Sequence, residues 1–174
     1  MDGSDLLDAL ARLGARAPAG AEVVLAGGAA LLLGGWVSRG TNDGDVIASA
    51  PKLSTMRAAI AEVAEELDLS EAWLNDGAVA WADALPRDYA ARLHLVGTFG
   101  NLTVRRLDRR DLVVRKVLAQ RDQDREDLRA LAPTADEIAF VRAELPRIAR
   151  AFPDRAQRME YYLAQHAPAA EAGG

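Results

Sequence analysis

The sequence predicts an α+β fold: a small mixed β-sheet flanked by helices, with a helical C-terminal part. Three observations predict it. A short apolar run at 22–26, the segment 43–48 and a hairpin pattern over 94–104 read as strands. Amphipathic stretches of helical period lie between and around them. From Asp108 onward the patterns are all helical, so strands do not alternate with helices to the end.

The elements follow in order. Ser4 is expected to cap a helix over 5–13, with Leu6, Leu7 and Leu10 on one face. A Gly/Ala/Pro-rich loop spans 14–20. Glu22 to Ala26 is a strand that Gly27-Gly28 end, and Ala29 to Leu33 start a short helix. After a turn over 38–42, Asp43 to Ala48 form the next strand. Pro51 and Ser54 lead into a helix reaching about Leu67, with Ile60, Val63, Ala64 and Leu67 at core spacing.

Over 69–86 the pattern is less regular. Trp73, Leu74, Val79, Trp81 and Leu85 supply anchors, and Asn75-Asp76-Gly77 reads as a turn. His94-Leu95-Val96 and Leu102-Thr103-Val104 flank Gly100-Asn101 as a hairpin. Asp108 is expected to cap a helix carrying Leu112, Val113, Lys116, Val117 and Ala119. A second helix carries Asp124, Asp127, Leu128 and Leu131, and Thr134 with Glu137 forms a capping box for a third. A last helix lies around 159–163, and the Ala/Gly tail from Ala167 is expected to fray. The domain reading is 1–135 as the main domain, with 136–174 as a helical extension packed on the same core.

Composition narrows the function classes. The 174 residues include no cysteine, which excludes disulfides, thiolate metal sites and a cysteine nucleophile. The two histidines, His94 and His166, are too far apart in sequence to suggest a histidine metal site. His94, in an apolar strand, reads as structural, and His166 as part of the tail. Trp36, Trp73 and Trp81 read as core anchors rather than stacking platforms. No apolar run approaches the ~20 residues of a membrane span. Met1 to Asp5 lack a basic signal-peptide start, so a soluble, cytoplasmic protein is expected.

The net charge of −5 argues against a general nucleic-acid coat protein. Arginines nevertheless crowd 105–129, interleaved with aspartates, a pattern that also suits a salt-bridged pair of solvated helices. Lysine occurs only at Lys52 and Lys116 in an arginine-rich chain, a mild sign that arginine would not serve there.

Two local patterns carry chemistry. In a strand, residues two apart share a face, so Asp43 and Asp45 would project together and repel. A divalent cation would relieve that repulsion, and Mg²⁺ is typically held by one or two carboxylates plus substrate phosphates. Gly27 and Gly28 join a strand to a helix start, where glycine allows close approach and unpaired N–H groups attract an anion. Each pattern has a bland alternative, an exposed acid pair and a tight turn respectively. Arg39 and Thr41 lie on the turn that connects the two patterns.

Together these residues resemble the nucleotidyltransferase superfamily that includes DNA polymerase β. The stretch Leu25 to Ala48 is most similar to AbiEii-like and MenT-like proteins, toxins of type IV toxin–antitoxin systems, and their uncharacterised relatives. Lys116, then Arg121, Asp124, Asp127 and Leu128, resemble the later lysine and the Arg/Asp-rich element of that branch.

The resemblance implies a nucleotidyltransferase fold and transfer of NMP from an NTP to a hydroxyl acceptor. It implies Mg²⁺, or Mn²⁺, on Asp43 and Asp45, with Gly27 and Gly28 on the triphosphate. Lys116 would meet a phosphate or transition-state charge. Asp127 and Asp124 would orient that lysine or assist the acceptor, with Arg39, Thr41 and Arg121 as substrate support. The implied partners are the NTP, an RNA acceptor such as a tRNA end, and an antitoxin protein.

Other readings stay open. Lys116 alone could be a surface lysine, and Asp127 a surface acid. The chain could also be a catalytically degenerate nucleotide-binding or regulatory protein of the same fold. The strand over 101–107 offers no third acid, and Gly44 is expected to loosen its strand and remove a core contact.

Overall fold

The computed structural model describes residues 1–166; the expected frayed tail lies outside the described residues. The chain divides into two compact units. The first comprises Met1–Ala82 and Arg87–Arg109; the second comprises Asp83–Pro86 and the chain from Arg110 onward.

The first unit is built on a five-stranded mixed sheet in the order β3-β2-β1-β5-β4. Its strands are β1 (Ala21–Leu25), β2 (Gly44–Ala50), β3 (Leu74–Asn75), β4 (His94–Phe99) and β5 (Leu102–Arg106). The central strand β1 runs antiparallel to β2 and parallel to β5. Its position explains its composition: Ala21, Val23, Val24 and Leu25 are all buried. At the β4–β5 hairpin Gly100 has φ +56°. Glycine alone takes that φ freely, so the two-residue turn predicted at Gly100-Asn101 closes. Asn101 then donates from its backbone N–H to the Gly14 carbonyl and from its side chain to the Ala17 carbonyl.

Helices α1 (Gly3–Arg16), α2 (Gly27–Leu33) and α3 (Arg57–Glu66) complete this unit. Leu6, Leu10 and Leu13 of α1 are fully buried, whereas Leu7 is 37% exposed. At 100° per residue Leu7 falls outside the stripe of the other three, which corrects the predicted face. The cap is also corrected. Asp2, not Ser4, caps α1, because its carboxylate accepts from the backbone N–H groups of Ser4 and Asp5 and from the Ser4 hydroxyl. Ile60, Val63 and Ala64 of α3 are buried as expected, and the indole N–H of buried Trp73 donates to the Ile60 carbonyl at 3.0 Å.

Two sheet features were not predicted. Leu74-Asn75 pair in parallel with Gly44-Asp45 as an edge strand, where only a turn was expected. The β1–β2 register also slips, from Val24↔Ala48 to Leu25↔Val46. This bulge lets both Val46 and Ile47 face the interior, and it re-aims the start of β2.

The second unit contains α4 (Arg109–Ala119, from Arg110), α5 (Asp122–Leu131), α6 (Ala135–Ala151) and α7 (Pro153–Gln165). The predicted capping box opens α6: Thr134 Oγ1 accepts from the Glu137 N–H and Glu137 accepts from the Thr134 N–H. Buried Leu128, Leu131, Ile138, Val141, Ile148, Met159 and Leu163 supply its apolar faces. His166 does not belong to the tail: its ring stacks on Tyr162 at 4.1 Å at the end of α7.

Trp73→Ala is expected to destabilise the protein by about 3–5 kcal/mol. Urea denaturation checks it, and a loss below about 1 kcal/mol would contradict the anchoring role given to the indole.

Candidate active site

The site is built at the C-terminal end of β1. There Leu25 leads through Ala26 into Gly27, the first residue of α2. The strand turns into the helix within two residues because Gly27 takes φ +59°. An L-residue rarely adopts that conformation.

Space makes the same demand. A Cβ on Gly27 would collide with the carboxylate of Asp45, which lies across the turn from the start of β2. A Cβ on Gly28 would come within 2.9 Å of the Thr41 hydroxyl oxygen and 3.8 Å of an Arg39 guanidinium nitrogen. The two glycines thus expose backbone to one acid, one hydroxyl and one cation. The first-turn N–H groups of α2 lack intrahelical acceptors by helix geometry, and Ala26 provides no side-chain cap.

The second acid is fixed by different contacts. Asp43 lies just before β2, half-buried, not inside the strand as expected. The Thr41 hydroxyl donates to the Asp43 carbonyl at 2.8 Å, and the Asn75 amide donates to the Asp43 carboxylate at 3.3 Å. Asn75 is also the register partner of Asp45. It therefore joins both acid positions, a role that the Asn75-Asp76-Gly77 turn pattern does not itself reveal. The signal was present, since Asn75-Asp76-Gly77 follows the buried Trp73-Leu74 pair.

Gly44, between the acids, also has a reason. Its N–H donates to the Trp73 carbonyl at 2.6 Å, and a Cβ would lie 3.0 Å from a Leu74 methyl. Leu74 and Leu25 flank the place where a larger residue would pack. Glycine here admits the edge strand rather than loosening β2.

The same end of the sheet carries Asp108. The Leu107 N–H donates to the Leu25 carbonyl, continuing the β1–β5 ladder up to Asp108. The Asp108 carboxylate meets His94 Nε2 at 2.8 Å, so this exposed histidine is a hydrogen-bond partner of Asp108 and not part of an apolar strand face. Nearby in sequence, Arg106 and Arg109 lie over the Trp36 ring at 4.6 and 5.8 Å from its centroid. Trp36 and Trp81 are half-buried, and of the three tryptophans only Trp73 is fully buried. Among the described residues no three His, Asp or Glu side chains are placed to hold a metal ion together.

The remaining candidates gather in the second unit. Lys116 Nζ lies 2.7 Å from Asp124 Oδ1 and 2.7 Å from Asp127 Oδ2. Its side chain is 7% exposed, and both carboxylates are 1% exposed. Lys116 is therefore buried, not a surface lysine, and Asp127 is not a surface acid. Arg121, largely solvent-exposed, donates through Nε at 2.8 Å and its backbone N–H at 3.1 Å to Asp124 Oδ2.

Burial pushes the Asp124 pKa up, but hydrogen bonds from Arg121 and Lys116 outweigh it, leaving the pKa below its ordinary value. Asp124 therefore contributes stability that is complete above its unfolded value of 3.8 and is lost as pH falls through the lower folded value.

Residues 5–140 match a family model described as "Nucleotidyltransferase of unknown function (DUF6036)". The match covers well over half of the chain, which belongs to that family. No curated protein and no solved structure matches the sequence.

Lys116→Met should destabilise the fold by about 3–5 kcal/mol at pH 7, because it removes the cation that two buried carboxylates share. Denaturant midpoints at pH 7 check it, and a variant as stable as the parent would refute the buried charge cluster.

Proposed function

We propose that the chain transfers a nucleoside monophosphate from a nucleoside triphosphate to a hydroxyl acceptor. Family membership supports nucleotidyl transfer in general. The observation that carries the reading is the convergence on Gly27-Gly28. The Asp45 carboxylate, the Thr41 hydroxyl and the Arg39 guanidinium all border a turn where a side chain on residue 27 would be strained and crowded.

The donor set fits a divalent cation. Asp43 and Asp45 supply hard oxygen ligands, and substrate phosphates would complete the set, as is usual for Mg²⁺ or Mn²⁺. When bound, such a cation neutralises phosphate charge and favours the ionised acceptor hydroxyl. The protein's own part is to position and to stabilise charge. The uncapped first-turn N–H groups of α2 would donate to phosphate oxygens, and Arg39, close to Gly28, would add positive charge. Asn75 and Thr41 hold the Asp43 segment in place. The acceptor oxygen attacks the α-phosphorus as the bond to the β-phosphate bridging oxygen breaks. Pyrophosphate leaves with the electron pair, and the hydroxyl proton is released.

A second reading, nucleotide binding without transfer, is favoured by one observation: among the described residues no three His, Asp or Glu side chains are placed to hold a metal ion together. One assay separates the two. The protein is incubated with each α-labelled NTP, Mg²⁺ or Mn²⁺, and total RNA, protein or small hydroxyl acceptors. Transfer of label supports the first reading; tight NTP binding without transfer supports the second and sinks the first. Asp43→Asn and Asp45→Asn should each lower transfer by at least ~100-fold while the far-UV circular dichroism is unchanged. Full activity in either variant would remove that acid from the site.

A further inference from the structure

We propose that the helical unit binds a single-stranded nucleic acid in a groove formed by the end of α4, α5 and α7. This does not rest on the transfer chemistry, because every lining residue belongs to the second unit.

The groove has a volume of about 1010 Å³. Its polar lining is one-sided in charge. Arg125, Arg129 and Arg158 line it, and no Asp or Glu does, in a chain whose net charge is −5. Arg129 and Arg158 are exposed, and among the described residues neither guanidinium has an ion-pair partner. Arg125 has a loose contact, 3.6 Å from Asp122, whose side chain is 99% exposed. Cations left unneutralised along a groove attract a polyanion.

Aromatic rings accompany the cations. Tyr161 lines the groove with 67% of its surface exposed. Tyr162 and His166, also in the lining, form a stacked pair tilted by 20°. The His166 ring is fixed by an Nδ1 contact to the Tyr162 carbonyl at 2.8 Å. Exposed rings interleaved with arginines are what successive unpaired bases and their phosphates require, whereas a paired duplex hides its base faces. The frame is held: Gln120 Nε2 donates to the Arg158 carbonyl at 3.1 Å, tying the end of α4 to α7.

The test is fluorescence anisotropy of the full chain with end-labelled oligo(U) and oligo(dT) 12-mers, and with a duplex of the same length. Either single strand should bind, the duplex more weakly, and the tighter strand identifies the natural class. Arg129→Ala with Arg158→Ala should lower the slope of log K against log salt by about 1.4 for two phosphate contacts. Tyr161→Ala should weaken binding roughly 5- to 150-fold. Arg57→Ala, an exposed arginine of α3, should bind as the parent does. All these positions are exposed, and circular dichroism confirms that the variants fold.

The proposal is overturned by no binding at low salt, by binding that the groove variants leave unchanged, or by a duplex bound as tightly as the single strands. Binding that depends on the arginines but ignores Tyr161→Ala would mark a general polyanion site and also overturn it.

Discussion

The candidate site depends on one steric constraint. The Asp45 carboxylate lies where the side chain of residue 27 would be, and the backbone there has φ +59°. Glycine satisfies both conditions at once. From that single allowance follow the sharp exit of the chain from β1, the immediate start of α2 and the close approach of the Asp45 carboxylate to the turn. Such a juxtaposition stores little energy by itself. It pre-arranges charge around a small volume, which is what phosphoryl chemistry asks of a protein.

The sheet transmits the constraint. β1 is central, and both of its neighbours deliver residues to its C-terminal end: β2 brings Asp45 and β5 leads to Asp108. The bulge in β2 lets its hydrophobic residues stay inside while its start presents acids. The edge strand β3 then fixes Asp43 through Asn75. In the second unit the ordering principle differs. A buried lysine is matched by two buried carboxylates, and Arg121 from solvent completes the balance. Neither partner tolerates loss of the other, although the intact cluster need add little net stability.

Strong local patterns were legible in the sequence. The apolar run of β1, the hairpin at Gly100-Asn101, the Thr134–Glu137 capping box and the glycine turn each have a short-range cause. What the sequence hid was tertiary. β3 has two residues and exists only because the start of β2 accepts it. Asp43 and Asp45 read as a same-face strand pair, but the strand begins at Gly44, so separate contacts fix Asp43. Burial of Lys116 comes from acids eight and eleven positions away on the next helix, beyond any i,i+4 rule. His94 found its partner, Asp108, across a hairpin, where an apolar neighbourhood had been expected.

The most direct measurement is calorimetric titration of the protein with a nucleoside triphosphate, with and without Mg²⁺, on the parent chain and on Gly27→Ala. If the glycine turn and the acids form one site, cation and nucleotide bind cooperatively to the parent, and the added methyl group abolishes that coupling. Nucleotide binding indifferent to both the cation and the methyl group would contradict the account.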